Sequence, residues 1–389
     1  MNQNVRVFDA EQLKKIASEQ HGFEDFGAGA YQCSFDKLCD SLSETAAFTK
    51  LGQEQTEQEL ISLLGNRLQI QHWLTECPEI LSEKITRPVF ATGLPRSGTT
   101  FLLHLFDQDP KLKLLRTWET SQPCPPPGHA PETIHTRIVK TRQNYLEMWK
   151  AAVPDFDAIH LMDAEGPDEC TQLLSNDFAQ VGFLNYLNVP GYFDWIVEHG
   201  DFKSTYQFHK KQLQLLQWKR TQKRWVLKYP NHLLAMDAIA SVYQDARFVM
   251  THRDPVKTLA SLCNLTANFR GARSDRIDKL EIGRQILEFV KVHIDRLLAF
   301  STANPSLICD VDYYSLVKNP LEVMESVYKF MDMELPDSVA GQIHNWVDEN
   351  PQGKRGVHVY GLEDFGLNRI DVGRTFSAYR QKYNIPIEN

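Results

Sequence analysis

The fold is decided by one stretch of the chain, Gly93-Leu94-Pro95-Arg96-Ser97-Gly98-Thr99-Thr100, which joins two different patterns. The run before it, Pro88-Val89-Phe90-Ala91-Thr92, is short and apolar, which is typical of a buried strand. Residues 100–106 after it have the spacing of a helix. Glycines between a strand and a helix let backbone N–H groups point inward, and the helix N-terminus adds a partial positive charge. The stretch therefore predicts an anion-binding loop of the phosphate-loop type.

The loop differs from the version that binds nucleoside triphosphates. That version reads G-x-x-x-x-G-K-[ST], with the lysine on the β- and γ-phosphates and the hydroxyl on magnesium. Here Thr99 follows Gly98, and the cation, Arg96, lies inside the loop. A shorter anion needs only the backbone cradle and one cation, so we predict such an anion and no metal. For Thr99 or Thr100, capping of the helix N-terminus is an equally good interpretation.

The rest of the chain extends this pattern to an α/β fold. Three further short apolar runs, Trp225-Val226-Leu227, Arg247-Phe248-Val249-Met250 and Leu307-Ile308-Cys309, lie next to longer helical patterns. Strands that alternate with helices predict a parallel sheet flanked by helices. Residues 1–86 are expected to form a helical N-terminal appendage. Residues 87–389 are expected to form the α/β domain, with a helical insertion at about 120–224.

Composition excludes several classes of protein. The 389 residues include 42 Lys and Arg against 50 Asp and Glu, so the net charge of −8 argues against general nucleic-acid binding. The seven dispersed cysteines have no metal-ligand spacing and predict reduced thiols. Neither a secretory signal nor a run of eighteen apolar residues is found, so we expect a cytoplasmic protein without a membrane span.

A second segment, Thr251-His252-Arg253-Asp254-Pro255, completes the predicted site. Arg253 should follow a strand, and Asp254-Pro255 should begin a helix. Ser261 then lies two turns further on the same face, so its hydroxyl and the guanidinium of Arg253 can converge on one phosphate. A structural salt bridge is the alternative for an isolated Arg-Asp-Pro turn.

Together these motifs resemble the sulfotransferases that use 3′-phosphoadenosine 5′-phosphosulfate (PAPS), and in particular their bacterial branch. The loop resembles the family's 5′-phosphosulfate loop, and the segment around Arg253 resembles its 3′-phosphate site. Arg116-Thr117-Trp118-Glu119 and Trp225-Val226-Leu227-Lys228 also match, and the resemblance covers most of the chain.

The resemblance implies a sulfotransferase fold related to phosphate-loop NTPases. It implies transfer of a sulfuryl group from PAPS to a hydroxyl or amine of a small-molecule or glycan acceptor, with release of adenosine 3′,5′-bisphosphate and no metal. The donor-binding residues implied are Pro95, Arg96, Ser97, Gly98, Thr99, Thr100, Arg253 and Ser261. Lys354 and Arg355 match a C-terminal donor-binding segment loosely, and a charged surface turn is their alternative.

The resemblance also suggests catalytic residues. Arg96 and Lys228 would stabilise the leaving phosphate. Cytosolic relatives carry a histidine two residues after this lysine, but Pro230 is found there, which puts a histidine base of that type in doubt. Glu119 is the favoured general base, with a salt bridge to a neighbouring arginine as its alternative. His160 and Glu165 are the next candidates.

Two other functions remain open at this point. A phosphate-loop kinase or NTPase of small molecules would share the loop but lacks its lysine here. A catalytically silent relative could keep the nucleotide site and lack the base. The sequence defines neither the acceptor nor the oligomeric state.

Overall fold

The centre of the structure is a five-stranded, fully parallel sheet. The computed structural model describes residues 8–147, 150, 153, 163–351 and 361–388. The strands are β1 (Val89–Gly93), β2 (Leu112–Lys113), β3 (Arg224–Lys228), β4 (Arg247–His252) and β5 (Ile308–Asp312). Their order is β2-β3-β1-β4-β5, and every pair is parallel. The predicted parallel sheet is confirmed, and four strands coincide with the four apolar runs; the two-residue β2 is too short to leave a pattern.

Helices cover both faces of this sheet. In chain order they are α1 (Ala10–His21), α2 (Tyr31–Thr45), α3 (Lys50–Glu76), α4 (Thr99–Phe106), α5 (Thr117–Ser121), α6 (Ile134–Lys140), α7 (Thr171–Ser175), α8 (Phe183–Tyr186), α9 (Pro190–His199), α10 (Phe202–Gln217), α11 (Met236–Val242), α12 (Pro255–Gly271), α13 (Lys279–Ala303), α14 (Tyr313–Lys318), α15 (Pro320–Phe330), α16 (Asp337–Glu349), α17 (Arg369–Thr375) and α18 (Ser377–Lys382). Within the described ranges, no helix combines the length and apolar character needed to cross a membrane.

The two faces of the sheet belong to two hydrophobic clusters. Along β1, Phe90 points into the larger cluster, whereas Val89 and Ala91 point into the smaller one. This alternation follows from the two-residue period of a strand. All five residues of β1 are buried, as expected for a central strand covered on both sides.

The N-terminal helices share the larger cluster with the sheet. Arg67 of α3 makes the main polar connection: its Nη1 donates to Asp177 Oδ1 at 2.7 Å, and both side chains are buried. The guanidinium also lies over the rings of Tyr31 and Phe208, at 3.9 and 4.2 Å from their centroids. The buried charge of Arg67 is tolerated because it is paired with a carboxylate and stacked on two rings. These contacts fix α3 against α10 and against the segment that precedes α8.

Candidate active site

The loop between β1 and α4 has a backbone that few residues can adopt. Gly93 and Gly98 have φ angles of 146° and 93°, and Arg96 between them has a φ angle of 71°. A Cβ atom at Gly93 would lie 2.4 Å from the carbonyl oxygen of Thr251, so a side chain is excluded there. This bend joins the end of β1 to the start of α4, and the first N–H groups of a helix, which have no partner within it, can bind an anion.

Ser97 holds the loop to the neighbouring strand. Its side chain is fully buried, and its hydroxyl donates to the carbonyl oxygen of Leu94 at 2.6 Å. The hydroxyl oxygen of Ser97 also lies 2.7 Å from Thr251 Oγ1 on β4. The Ser97 side chain therefore stabilises the loop and does not line the cavity described next.

A cavity of about 830 Å³ opens at the carboxyl ends of β1, β3 and β4. This is the edge at which parallel α/β sheets generally bind ligands. Eight of the residues predicted from the sequence line it: Pro95, Arg96, Gly98, Thr99, Thr100, Lys228, Arg253 and Ser261.

Arg96, Ser261 and Arg253 meet at one side of this cavity. Arg96 Nε donates to Ser261 Oγ at 3.2 Å, and Arg253 Nη1 donates to the carbonyl oxygen of Arg96 at 3.2 Å. Asp254 caps α12 by accepting from the N–H of Val256, which confirms the predicted helix start. The guanidinium of Arg253 also lies over the ring of Tyr313, at 4.1 Å from its centroid. Arg253 and Ser261 thus line one cavity, and both contact Arg96; that they bind one phosphate together stays a prediction.

Lys228 brings a further cation into the cavity from the end of β3. Its side chain is buried; Nζ donates to Thr100 Oγ1 at 3.2 Å and forms an ion pair with the carboxylate of Glu169. Glu169 also lines the cavity and was not predicted from the sequence. It is held there because the N–H of Cys170 donates to the carbonyl oxygen of Lys228 at 2.9 Å. A contact between residues 59 positions apart leaves no local signal in the sequence.

The neighbouring carboxylate, Asp168, has a different environment. Its Oδ2 accepts from Thr120 Oγ1 at 2.6 Å, and its Oδ1 accepts from the backbone N–H of Glu169 at 2.8 Å. Burial raises the pKa of Asp168 to about 6, although these hydrogen bonds favour the charged form. Asp168 therefore orients the backbone of Glu169, and it titrates in a slightly acidic range.

Glu119 lies away from the cavity. Its carboxylate is completely buried; it accepts from Lys113 Nζ at 2.7 Å and from Arg220 Nη1 at 2.6 Å, and it caps α5 through the N–H of Arg116. Burial alone would raise the pKa of Glu119, but the two cations and their hydrogen bonds hold it below its usual value. This geometry favours the alternative interpretation of Glu119, a salt bridge to an arginine, over the predicted base role.

Neither Glu165 nor the buried histidine after Lys228, both among the described residues, lines the cavity. His160, Lys354 and Arg355 are outside the described residues. Glu165 does not line the cavity; its exposed carboxylate lies 3.5 Å from Arg142. His232 is buried beside Tyr206, with 2.6 Å between its Nδ1 and the phenol oxygen, and burial lowers the pKa of His232 well below its usual value.

The rest of the cavity wall has an apolar part and a polar part. The apolar part comes from α12, which contributes Leu262, Leu265 and Phe269. The polar part comes from the segment between α6 and α9, which contributes Asp168, Glu169, Thr171, Gln172, Gln180 and Asn185. None of the described residues before Pro95 lines the cavity. Among the residues that the structure describes, no group of three or more His, Cys, Asp or Glu side chains is arranged to hold a metal ion.

Comparisons with known proteins agree with this geometry. A family model described as the sulfotransferase family matches residues 88–337, more than half of the chain. The crystal structure of sulfotransferase STF9 from Mycobacterium avium is similar, with 28% identity, a TM-score of 0.89 and coverage of 98% of each chain. That of sulfotransferase STF1 from Mycobacterium tuberculosis H37Rv has 29% identity and a TM-score of 0.84, covering 96% of this chain and 99% of that one. A search of curated proteins gave no significant match.

The chain therefore belongs to the sulfotransferase family, and its fold is a sulfotransferase fold. This membership assigns sulfuryl transfer as the general class of reaction.

Proposed function

We propose that this protein is a PAPS-dependent sulfotransferase that modifies a hydroxyl or amine of a small-molecule or glycan acceptor. The observation that carries the proposal is the meeting of Arg96, Ser261 and Arg253 beside one cavity. Arg96 and Arg253 are 157 residues apart in the chain and are joined by a hydrogen bond. Two guanidinium groups and a helix N-terminus suit a ligand with two separate anionic groups.

In this proposal the loop binds the 5′-phosphosulfate. Its members are Pro95, Arg96, Ser97, Gly98, Thr99 and Thr100, of which Ser97 acts by holding the backbone in shape. Arg253 and Ser261 bind the 3′-phosphate. Lys354 and Arg355, which lie outside the described residues, remain candidates for a further contact to this nucleotide.

Lys228 and Glu169 are the proposed catalytic residues. The acceptor oxygen or nitrogen forms a bond to sulfur while the bond between sulfur and the oxygen of the 5′-phosphate breaks. Lys228 and Arg96 stabilise the charge on the departing phosphate, and Glu169 takes the proton of the acceptor. Such a transfer needs positioned charges more than covalent chemistry.

Glu169 is preferred to Glu119 because of its location. The Lys228–Glu169 ion pair links the group proposed for the leaving oxygen to the group proposed for the proton. In an in-line transfer, only a few ångströms separate the leaving oxygen of the 5′-phosphate from the attacking atom of the acceptor. Two adjacent side chains can therefore act on both atoms. Glu119, in contrast, has no exposed surface.

Calorimetry with adenosine 3′,5′-bisphosphate tests the donor site. We expect Arg96→Ala and Arg253→Ala each to weaken binding about 10- to 100-fold, which corresponds to the loss of a charge-assisted hydrogen bond. Arg374→Ala is the matched control, since this arginine is exposed and pairs with Asp371 outside the cavity. Unchanged affinity in both cavity variants would remove these residues from the site.

Two measurements separate the alternatives. Thermal stabilisation by ATP and magnesium, without stabilisation by adenosine 3′,5′-bisphosphate alone, would favour a kinase or NTPase. A protein that binds the bisphosphate but yields no product with the mass of an added sulfuryl group, across a broad metabolite pool with PAPS, would be a silent relative.

A further inference from the structure

The carboxylate of Glu388, from the same chain, forms an ion pair with Arg253. Glu388 Oε1 accepts from Arg253 Nε at 2.8 Å, and Oε2 accepts from Nη2 at 3.0 Å. The backbone N–H of Glu388 donates to Asp254 Oδ2 at 2.9 Å, so both the side chain and the backbone of Glu388 are held at this point. Glu388 also lines the cavity.

The segment before Glu388 is firmly anchored beside β4. Tyr379 places its phenol oxygen 3.0 Å from His252 Nδ1, and the ring of Tyr383 stacks on the His252 ring with 3.8 Å between centroids. Ile385 is buried, and its N–H donates to the carbonyl oxygen of Arg380 at 2.9 Å. Three residues, 386–388, therefore lead from an anchored position to the cavity.

Glu388 binds the Nε and Nη2 edge of the Arg253 guanidinium, and a phosphate would bind the same edge. A bidentate hold on Nε and Nη2 is the favoured geometry for carboxylates and phosphates alike. The third nitrogen, Nη1, donates to the carbonyl oxygen of Arg96. An anion that takes the bidentate position must therefore displace Glu388, because two anions cannot share this edge.

We propose that Glu388 is an internal competitor of the donor's 3′-phosphate. Glu388 binds Arg253 in the nucleotide-free enzyme and is displaced when the nucleotide binds. This inference rests on the proposed function of Arg253. With a competitor within the chain, the apparent affinity for the nucleotide equals the intrinsic affinity multiplied by the fraction of molecules in which the site is open. It therefore reduces the preference for nucleotides with a 3′-phosphate, since only these must displace the carboxylate of Glu388 to bind Arg253.

Calorimetry on the full-length protein tests the competition with two probes, adenosine 3′,5′-bisphosphate and adenosine 5′-monophosphate. We expect Glu388→Gln, and a variant that ends at Ile385, to bind the bisphosphate about tenfold more tightly than the wild type. Affinity for the monophosphate should stay the same, because this probe has no group for Arg253. Glu363→Gln, an exposed glutamate near the same end of the chain and outside the cavity, is the control.

The outcomes separate this inference from the proposed function. Equal or weaker bisphosphate binding by Glu388→Gln would overturn the competition; weaker binding would mean that Glu388 orients Arg253 for the nucleotide. If Arg253→Ala weakens bisphosphate binding and Glu388→Gln does not change it, only the competition fails. If Arg253→Ala has no effect, the proposed 3′-phosphate site itself fails.

Discussion

The two sides of the cavity are built in different ways. The proposed donor side consists of the loop 93–100, Lys228 and Arg253, each of which directly follows or ends one of three adjacent strands. The proposed acceptor side consists of the apolar residues of α12 and of residues between α6 and α9, with Glu169 at its border. The donor side follows from the parallel sheet itself, since the carboxyl ends of neighbouring strands meet at one edge. The acceptor side depends on how distant helices pack over that edge.

Two glutamates illustrate the difference. Glu119 and Glu169 both pair with cations, but Glu119 is enclosed by Lys113 and Arg220, whereas Glu169 pairs with Lys228 inside the cavity. The first pairing stabilises the fold beneath the site; the second is available to a ligand. Substitutions at these positions should therefore affect different properties.

The largest effect is expected for Glu169→Gln. The amide keeps the size of the side chain and cannot accept the proton, so we expect turnover to fall about 10²- to 10⁴-fold. Binding of adenosine 3′,5′-bisphosphate should persist, which calorimetry can establish alongside the rate of PAPS-dependent product formation. Normal turnover in this variant would exclude Glu169 as the base and return the role to a residue outside the described ranges, such as His160.

The next effect concerns stability and not chemistry. Glu119→Gln leaves Lys113 and Arg220 without their shared anion, and we expect the free energy of unfolding to fall by about 2 to 4 kcal/mol. Turnover per folded molecule should stay near that of the wild type. Urea unfolding and assays well below the melting temperature measure the two properties separately. Wild-type stability combined with a large loss of turnover would restore Glu119 as the base.

The smallest effect is a pH dependence at the border between the two sides. The pKa of Asp168 is raised to about 6 by burial, so the folded state binds this proton more tightly than the unfolded state. The stability that the neutral form contributes is complete below about pH 4 and is lost as the pH rises through 6. We expect the free energy of unfolding of the wild type, relative to Asp168→Asn, to fall by about 2 kcal/mol between pH 4 and pH 7.

Urea titrations across this range measure the difference. Asp364→Asn, at an exposed aspartate, is the control. A pH-independent difference between wild type and Asp168→Asn would show that Asp168 has the same pKa in both states.

Sequence reasoning succeeded where the signal is local. The loop, the strand ends and the Asp254 cap depend on neighbours within a few residues, so Arg96 and Arg253 could be assigned to the site from the sequence. The burial of Glu119 outside the cavity could not be foreseen, because distance along the chain does not say which way a side chain points after a turn. Lys113, which lies in β2, is 6 residues from Glu119, whereas Arg220, which precedes β3, is 101 residues from it.

Local sequence is enough to predict the parallel α/β fold, the bend between β1 and α4, Arg96 within that bend and Arg253 after β4, because glycine conformation, strand period and helix capping act over short distances. Long-range packing, in contrast, sets which carboxylate faces the cavity and which anion contacts Arg253. Those choices rest on contacts such as Cys170 to Lys228 and Glu388 to Arg253, which form only after distant segments have packed together.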